Sequence, residues 1–399
     1  MAEAVNRQKW MLWSCATLLV GVVAVVVGMA LNMWSVWPRS DSHAAAKSSK
    51  SSSPYAYVTR DQVVVMNGSR AVHRQARRFN DAEEPPRWTA DGAYLYFLRL
   101  PVSPAAESDA LSRQELVSVN SANGRVRTYP CPHCTGTSPL GAARVLAYQS
   151  DSGTSAHMLT FDLRRSDPPI QFRLSSEPRG AVSVLTGFSS AVLLAVTDSS
   201  IASAMGGPQS LYVLDGEGQT RSLGMTKSDQ AVSLVAADRP TAGRTRVAMV
   251  TGVHASACET RDAITVIDVP SRRSRTLDMS PVVPVSSRSG QSGLAVRDLW
   301  FDARGRLTAT VTAWRCNYAA ADPVVPTLQP SIWRLDENHW VEVAKGPVGK
   351  VRPLPDGTEL SLAPRAADVT SQGAELWSIT DNHRRLVAQG VLDFSLPSE

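Results

Sequence analysis

Cys131-Pro132-His133-Cys134 is the tightest grouping of reactive side chains in the sequence. Two cysteines at this spacing can exchange electrons with a partner thiol. That chemistry needs the first cysteine at a helix N-terminus, where the helix dipole stabilises the thiolate. The next residues, Thr135-Gly136-Thr137-Ser138-Pro139-Leu140-Gly141, cannot begin a helix. The expected role is therefore a local disulfide that staples a loop. A zinc site would require a second cysteine pair with matching spacing, and the sequence has none. It also lacks a Gly-x-Ser-x-Gly elbow, a His-Glu-x-x-His helix and an Asp-x-Asp-x-Asp-Gly calcium loop. No catalytic, cofactor-binding or metal-ligating set is assigned. Glu83-Glu84 before Pro85 reads as a solvated loop, and Asn67-Gly68-Ser69 reads as a hairpin turn as well as a glycosylation sequon.

The elements that must carry these residues are short strands. From Tyr55 onward, runs rich in Val, Leu, Tyr, Thr and Trp alternate with clusters of Gly, Pro, Asp, Asn and Ser. They recur as a unit of roughly 50 residues, the length of a four-stranded propeller blade. One unit reads Arg87-Trp88-Thr89-Ala90-Asp91-Gly92, then Tyr94 to Leu98, then Glu115 to Asn120, then Arg125 to Tyr129. Later units carry Asp302-Ala303-Arg304-Gly305 and Pro355-Asp356-Gly357 at the same turn. Six complete units can be aligned. Two pieces remain: three strands within 55–75 and one at Val391-Leu392-Asp393-Phe394-Ser395. Joined, they make a seventh blade built from both ends of the domain, which removes open sheet edges. The expected fold class is all-β: a seven-bladed β-propeller, with six or eight blades as alternatives, preceded by one transmembrane α-helix.

Pro86-Arg87-Trp88-Thr89-Ala90-Asp91-Gly92-Ala93-Tyr94-Leu95-Tyr96-Phe97 resembles the WD40-like repeat of TolB-type β-propellers. Leu376-Trp377-Ser378-Ile379-Thr380 and Leu211-Tyr212-Val213-Leu214-Asp215 are similar to its third strand. The resemblance spans about 55–399 and implies the fold. It does not bring the role of TolB with it, because the extra N-terminal domain of TolB is replaced here by a hydrophobic helix, and propellers host unrelated activities.

On this scheme Cys258 and Cys316 each follow the second strand of neighbouring units. Their loops then lie side by side, and a disulfide between them is expected, in keeping with an oxidising compartment. The loops after the second strands are long (101–113, 197–209, 315–330), whereas the turns between first and second strands are short. Long loops on a rigid scaffold are where binding is usually elaborated. Asp109, Arg261 and Arg315 on this face are the candidate partner-binding residues.

Residues 10–37 contain no charge, and the core from Cys15 to Leu31 is almost wholly apolar. Trp10 and Trp13 flank one end, Trp34 and Trp37 the other. Indole rings favour the membrane interface, so this stretch reads as an uncleaved spanning helix. A cleaved signal peptide would need a shorter apolar core, and its only small-residue site would be Ala44–Ala46. The expected order is a short cytoplasmic tail (1–9), a transmembrane helix (10–37), a flexible Ser/Ala/Lys linker (38–54) and an extracytoplasmic propeller (55–399). Five basic against two acidic residues in 1–54 leave only +2 of the formal +5 for the domain, no basis for nucleic-acid binding.

Two functions fit these features. One is a binding or scaffold module at the cell membrane for an envelope protein, peptide or cell-wall component. The other is an enzyme whose acid and base converge in the propeller channel from different blades. The topology has a direct check. Protease added to intact spheroplasts is expected to digest the domain, and full protection would refute the outward orientation.

Overall fold

The computed structural model describes residues 53–76, 85–100, 111–150, 156–172, 180–188, 190–197, 207–226, 231–238, 245–254, 258–282, 292–317, 324–363, 373–381 and 383–397. The expected membrane helix, most of the linker and Asp109 lie outside the described residues. Among those described, no helix is long and apolar enough to cross a membrane. Two single turns of 3-10 helix, Leu111–Arg113 and Ser280–Val282, interrupt an otherwise β chain.

Antiparallel groups of four strands follow one another. The first holds Arg87–Trp88, Tyr94–Arg99, Glu115–Asn120 and Val126–Pro130. The second holds Cys134–Pro139, Arg144–Ser150, Ala156–Asp162 and Ile170–Phe172. The third holds Ala181–Phe188, Ala191–Thr197, Gln209–Asp215 and Thr220–Met225. The fourth runs from Leu234–Ala237 through Arg246–His254 and Thr260–Asp268 to Arg273–Leu277. The fifth holds Ser292–Phe301, Leu307–Cys316, Val324–Asp336 and His339–Ala344. A single parallel bridge, Arg261 to Leu294, links the fourth and fifth groups into one sheet.

The sixth group begins with Lys350–Pro353, Glu359–Ala363 and Ala374–Thr380 and ends in the long strand His383–Ser395. The first half of that strand pairs with Ala374–Thr380. Its last residues pair with Pro54–Thr59, with Ala56 opposite Ser395 and Tyr57 opposite Phe394. Gln62–Asn67 and Arg70–Ala76 complete this sheet. The expected joining of Val391–Ser395 to residues 55–75 is thus present, through a strand shared with the preceding group.

Alternation explains why the groups stack. In Tyr94–Arg99, Leu95 and Phe97 pack with Val63 and Val65, whereas Tyr96 and Leu98 pack with Val145 and Ala147. Leu146 and Tyr148 turn instead toward Val192 and Leu194. Leu193 and Ala195 meet Val247 and Met249, and Ala248 and Val250 meet Leu294 and Val296. The second strands of the first four groups are therefore apolar on both faces, which is why they read as continuous hydrophobic runs. The joint between the fifth and sixth groups differs. Opposite Ala309 and Val311, the same strand presents Thr308 and Thr310, both buried. Among the described residues no apolar cluster spans this joint.

The short turns follow the expected chemistry. The Asp91 carboxylate accepts hydrogen bonds from the Thr89 hydroxyl (2.6 Å) and the Ala93 N–H (3.1 Å). Gly92 sits at φ +68°, and a Cβ there would come 2.5 Å from Pro397. Asp302 accepts the N–H groups of Arg304 and Arg306, and Asp356 that of Thr358. The turn after Met66 and Asn67 is indeed a hairpin, with Gly68 at φ +59°.

The shared strand is anchored by Val391, Phe394 and Leu396, none more than 2% exposed. Trp88 of the first group donates to the Ser395 hydroxyl at 3.1 Å. Phe394→Ala should cost about 3–5 kcal/mol, the range for emptying a buried aromatic site. Denaturant unfolding checks this, and an unchanged midpoint would show that the strand does not hold the two chain ends together.

Candidate functional site

The two cysteine pairs lie at the same ends of their strands. Cys131 and Cys134 are disulfide-bonded, with Cα atoms 5.7 Å apart. Three hydrogen bonds shape the loop. Cys131 N–H donates to Gln114 (2.9 Å), His133 N–H to Leu111 (2.9 Å), and the Gln149 amide to the Pro132 carbonyl (2.8 Å). His133 takes the left-handed conformation, φ 55°. Cys134 opens a strand and not a helix. Both cysteines are buried in the apolar cluster around Tyr96, Leu116 and Phe161. At 0% and 2% exposure the pair is sealed in this core, which suits a structural staple.

Cys258 and Cys316 form the second disulfide, Cα to Cα 6.0 Å, across the fourth and fifth groups. It closes a loop of 58 residues beside the parallel bridge from Arg261 to Leu294. The Trp314 indole N–H donates to the Cys258 carbonyl at 2.9 Å. The Asp262 carboxylate accepts the Val296 N–H at 2.8 Å. Trp314 lies so close to the facing strand that a Cβ on Gly293 would fall 2.1 Å from its ring. Four separate contacts thus fix one rim patch. Arg261 pairs with Leu294 and Arg315 with Ser292, so both arginines flank the strand 292–294, and both are exposed. Of the three residues proposed from sequence, the structure brings these two to one patch.

Sequence reasoning missed a set of charges on the first strands of three successive groups. Arg352 grips Asp298 through two hydrogen bonds, Nη1 to Oδ2 at 2.7 Å and Nη2 to Oδ1 at 2.9 Å. Its guanidinium also lies 4.0 Å from the Trp300 ring centroid. Lys350 reaches Asp393 at 3.3 Å and sits 5.1 Å from the Phe394 ring centroid. Burial alone would raise the Asp298 carboxyl. The positive charges of Arg352 and Lys350 and the Leu299 N–H outweigh it, and the group is held below the ordinary aspartate range. Glu359, on the second strand of the sixth group, is pushed up by desolvation. The one signal in the sequence was an Asp and a Lys-x-Arg pattern, Lys350-Val351-Arg352, interrupting strands that otherwise alternate.

The chemistry of this set is mutual neutralisation. Asp298 is a fully engaged carboxylate and is not poised to take a proton from a substrate. Among the described residues, no group of three His, Cys, Asp or Glu side chains is placed to hold a metal ion.

Stacked four-stranded groups with neighbouring first strands match solved structures. The β-propeller domain of the Trilobed protease from Pyrococcus furiosus superposes with TM-score 0.50 and 12% identity, over 82% of this chain and 87% of that one. The fold is a β-propeller. The acylaminoacyl peptidase of Pyrococcus horikoshii matches with TM-score 0.50 and 12% identity over 82% of this chain, which spans only 48% of the peptidase. TolB from Acinetobacter baumannii matches at TM-score 0.40 and 13% identity, over 86% of this chain and 66% of TolB. No protein-family model matches the chain, and neither does any curated protein. At these identities the likeness carries the fold alone. The Pyrococcus furiosus domain is described as having an open velcro topology. In the present propeller, Val391–Ser395 pairs directly with Pro54–Thr59.

The Asp298–Arg352 pair and Glu359 set opposite pH dependences. Asp298 has a lowered folded value, so its stabilisation is present above the unfolded aspartate value of about 4 and is lost as pH falls through the folded one. Asp298→Asn leaves Arg352 uncompensated and should cost about 3–5 kcal/mol at neutral pH. That cost should shrink as the solution is acidified. Glu359 has a raised folded value, so it favours the fold at low pH and opposes it as pH rises. Glu359→Gln should therefore raise the unfolding midpoint at neutral pH. Chemical denaturation of both variants across pH checks the two signs.

Proposed function

We propose that this chain is a membrane-anchored, seven-bladed propeller that works outside the cytoplasm as a binding or scaffold module. Its partner is a protein or peptide of the cell envelope, held on the face that carries both disulfides. The observation that carries this reading is the patch formed by the fourth and fifth blades. A disulfide, a parallel bridge, an indole hydrogen bond and a carboxylate hydrogen bond all immobilise it. Arg261 and Arg315 stand exposed on its two sides. A preorganised surface with exposed guanidinium groups loses little entropy on binding, and Arg is enriched where interfaces draw their energy. The apolar segment 10–37 supports tethering by the same argument as its sequence, and the linker after it reaches on the order of 20–25 Å, enough to hold the propeller near the bilayer.

Cross-linking in intact membranes followed by capture of the full chain tests the reading. Arg261→Glu and Arg315→Glu should each remove the main cross-linked protein while leaving the unfolding midpoint unchanged. Asp109→Ala is expected to act in the same direction. Asp91→Ala and Asp356→Ala, on the opposite face, should leave capture intact. The reverse pattern would place the partner on the short-turn face.

A further inference from the structure

A cavity of about 160 Å³ opens on the first blade, lined by Tyr94, Ser118, Asn120, Asn123, Arg125 and Arg127. It belongs to the short-turn face, because the turn after Asn120 is bonded to the Asp91-Gly92 turn: Ser121 N–H donates to the Ala93 carbonyl at 3.0 Å. It is thus at the far end of the blade from Cys131 and Cys134. Its polar groups are mainly donors. The Asn120 side-chain oxygen accepts the N–H groups of Ala122 (3.1 Å) and Asn123 (3.2 Å). The Asn123 side-chain oxygen accepts the Arg125 N–H at 2.9 Å. Backbone donors therefore take both carboxamide oxygens and fix the orientation of both amides, leaving their NH₂ groups as the available functions.

Arg127 is set in place by its bond to the Leu163 carbonyl at 2.6 Å and by the neighbouring Tyr129 hydroxyl, and its five N–H groups exceed these two contacts. Arg125 is exposed. No carboxylate lines the cavity. The nearby Asp162 is already occupied by a two-point contact with Arg164, at 3.0 and 2.9 Å. Two guanidinium groups and two amide NH₂ groups, joined by the Tyr94 and Ser118 hydroxyls, give a space of this size a cationic, donor-rich lining with no carboxylate. Such a lining desolvates poorly around a neutral or cationic guest and pairs well with a compact anion bearing several oxygens.

From this lining we infer that the cavity is a binding site for a phosphoryl group, separate from the partner-binding face. The group can come from a soluble phosphate compound or from a phospholipid headgroup. The test uses the full chain in a nonionic detergent at constant ionic strength. Inorganic phosphate and, separately, dihexanoyl phosphatidylglycerol are titrated in by calorimetry. Saturable binding of either is expected. Arg125→Gln and Asn123→Asp should each weaken it by about tenfold or more, a loss of one charge-assisted contact or more. Asn123→Asp keeps the acceptor for the Arg125 N–H, so the turn is preserved, and the unfolding midpoint in chloride buffer should not move. Tighter binding of the short-chain lipid would assign a headgroup, and equal or weaker binding a soluble phosphoryl compound. No saturable binding of either titrant, or affinity unchanged in both variants, would overturn the site.

Discussion

The strand His383–Ser395 belongs to two blades at once, and the closed ring exists because of it. A propeller blade has no core of its own. It buries its two faces only against neighbours, so a ring left open exposes an apolar face at each end. Here the strand that ends the sixth blade continues without a break into the first position of the last. Residues more than 300 apart in sequence are thereby hydrogen-bonded, as in Ala56 with Ser395. Loop-closure entropy makes such a contact slow to form and gives it no local reward. The buried side chains of Phe394, Val391 and Leu396 supply the compensation.

Once the ring is closed, every second strand is confined from both sides, and its register is doubly specified. A slip of one residue would exchange the faces of Leu95 and Tyr96, placing each against the wrong neighbour. The joint between the fifth and sixth blades is exempt from this apolar rule. There, buried Thr308 and Thr310 stand where the other joints have aliphatic side chains. The Asp298–Arg352 grip, backed by Trp300, does the bridging. An ion pair of this kind stabilises less than well-packed aliphatic groups of equal volume, but it accepts only one geometry. This joint therefore contributes orientation more than cohesion, and its contribution depends on pH.

Much of this was legible in the residues. The Asp91-Gly92 and Asp356-Gly357 turns, the apolar second strands and the complementary pieces at the two ends all encode local or periodic information, and they appear in the structure as read. The disulfides followed from topology: once Cys258 and Cys316 were assigned to equivalent positions of adjacent units, their proximity was implied. The cross-blade charges were not legible. Asp298 and Arg352 are separated by a whole blade, and alternation says only that each interrupts a strand, not which residue it meets. The polar face of Thr308 and Thr310 reads in sequence as a solvent-facing side, because a buried threonine and an exposed one have the same period. The parallel bridge from Arg261 to Leu294 was equally hidden, since it departs from the antiparallel rule that organises every other pairing among the described residues.

That departure also supports the proposal that the rim patch recognises a partner. Among the described residues, the other blade neighbours touch through side chains, apart from the two that share the strand His383–Ser395. The fourth and fifth blades are joined through backbone as well, and a covalent bond lies beside the bridge. Arg261 and Arg315, on the two flanks of strand 292–294, are therefore planted on a doubly joined backbone. They are also the residue type that gains most from such anchoring, because a guanidinium makes its strongest contacts only when two N–H groups meet two acceptors in one plane. Elsewhere in the ring the protein uses the same group inward, in Arg352, to lock its own blades. At the rim it presents the group outward, on a backbone stiffened by equivalent means.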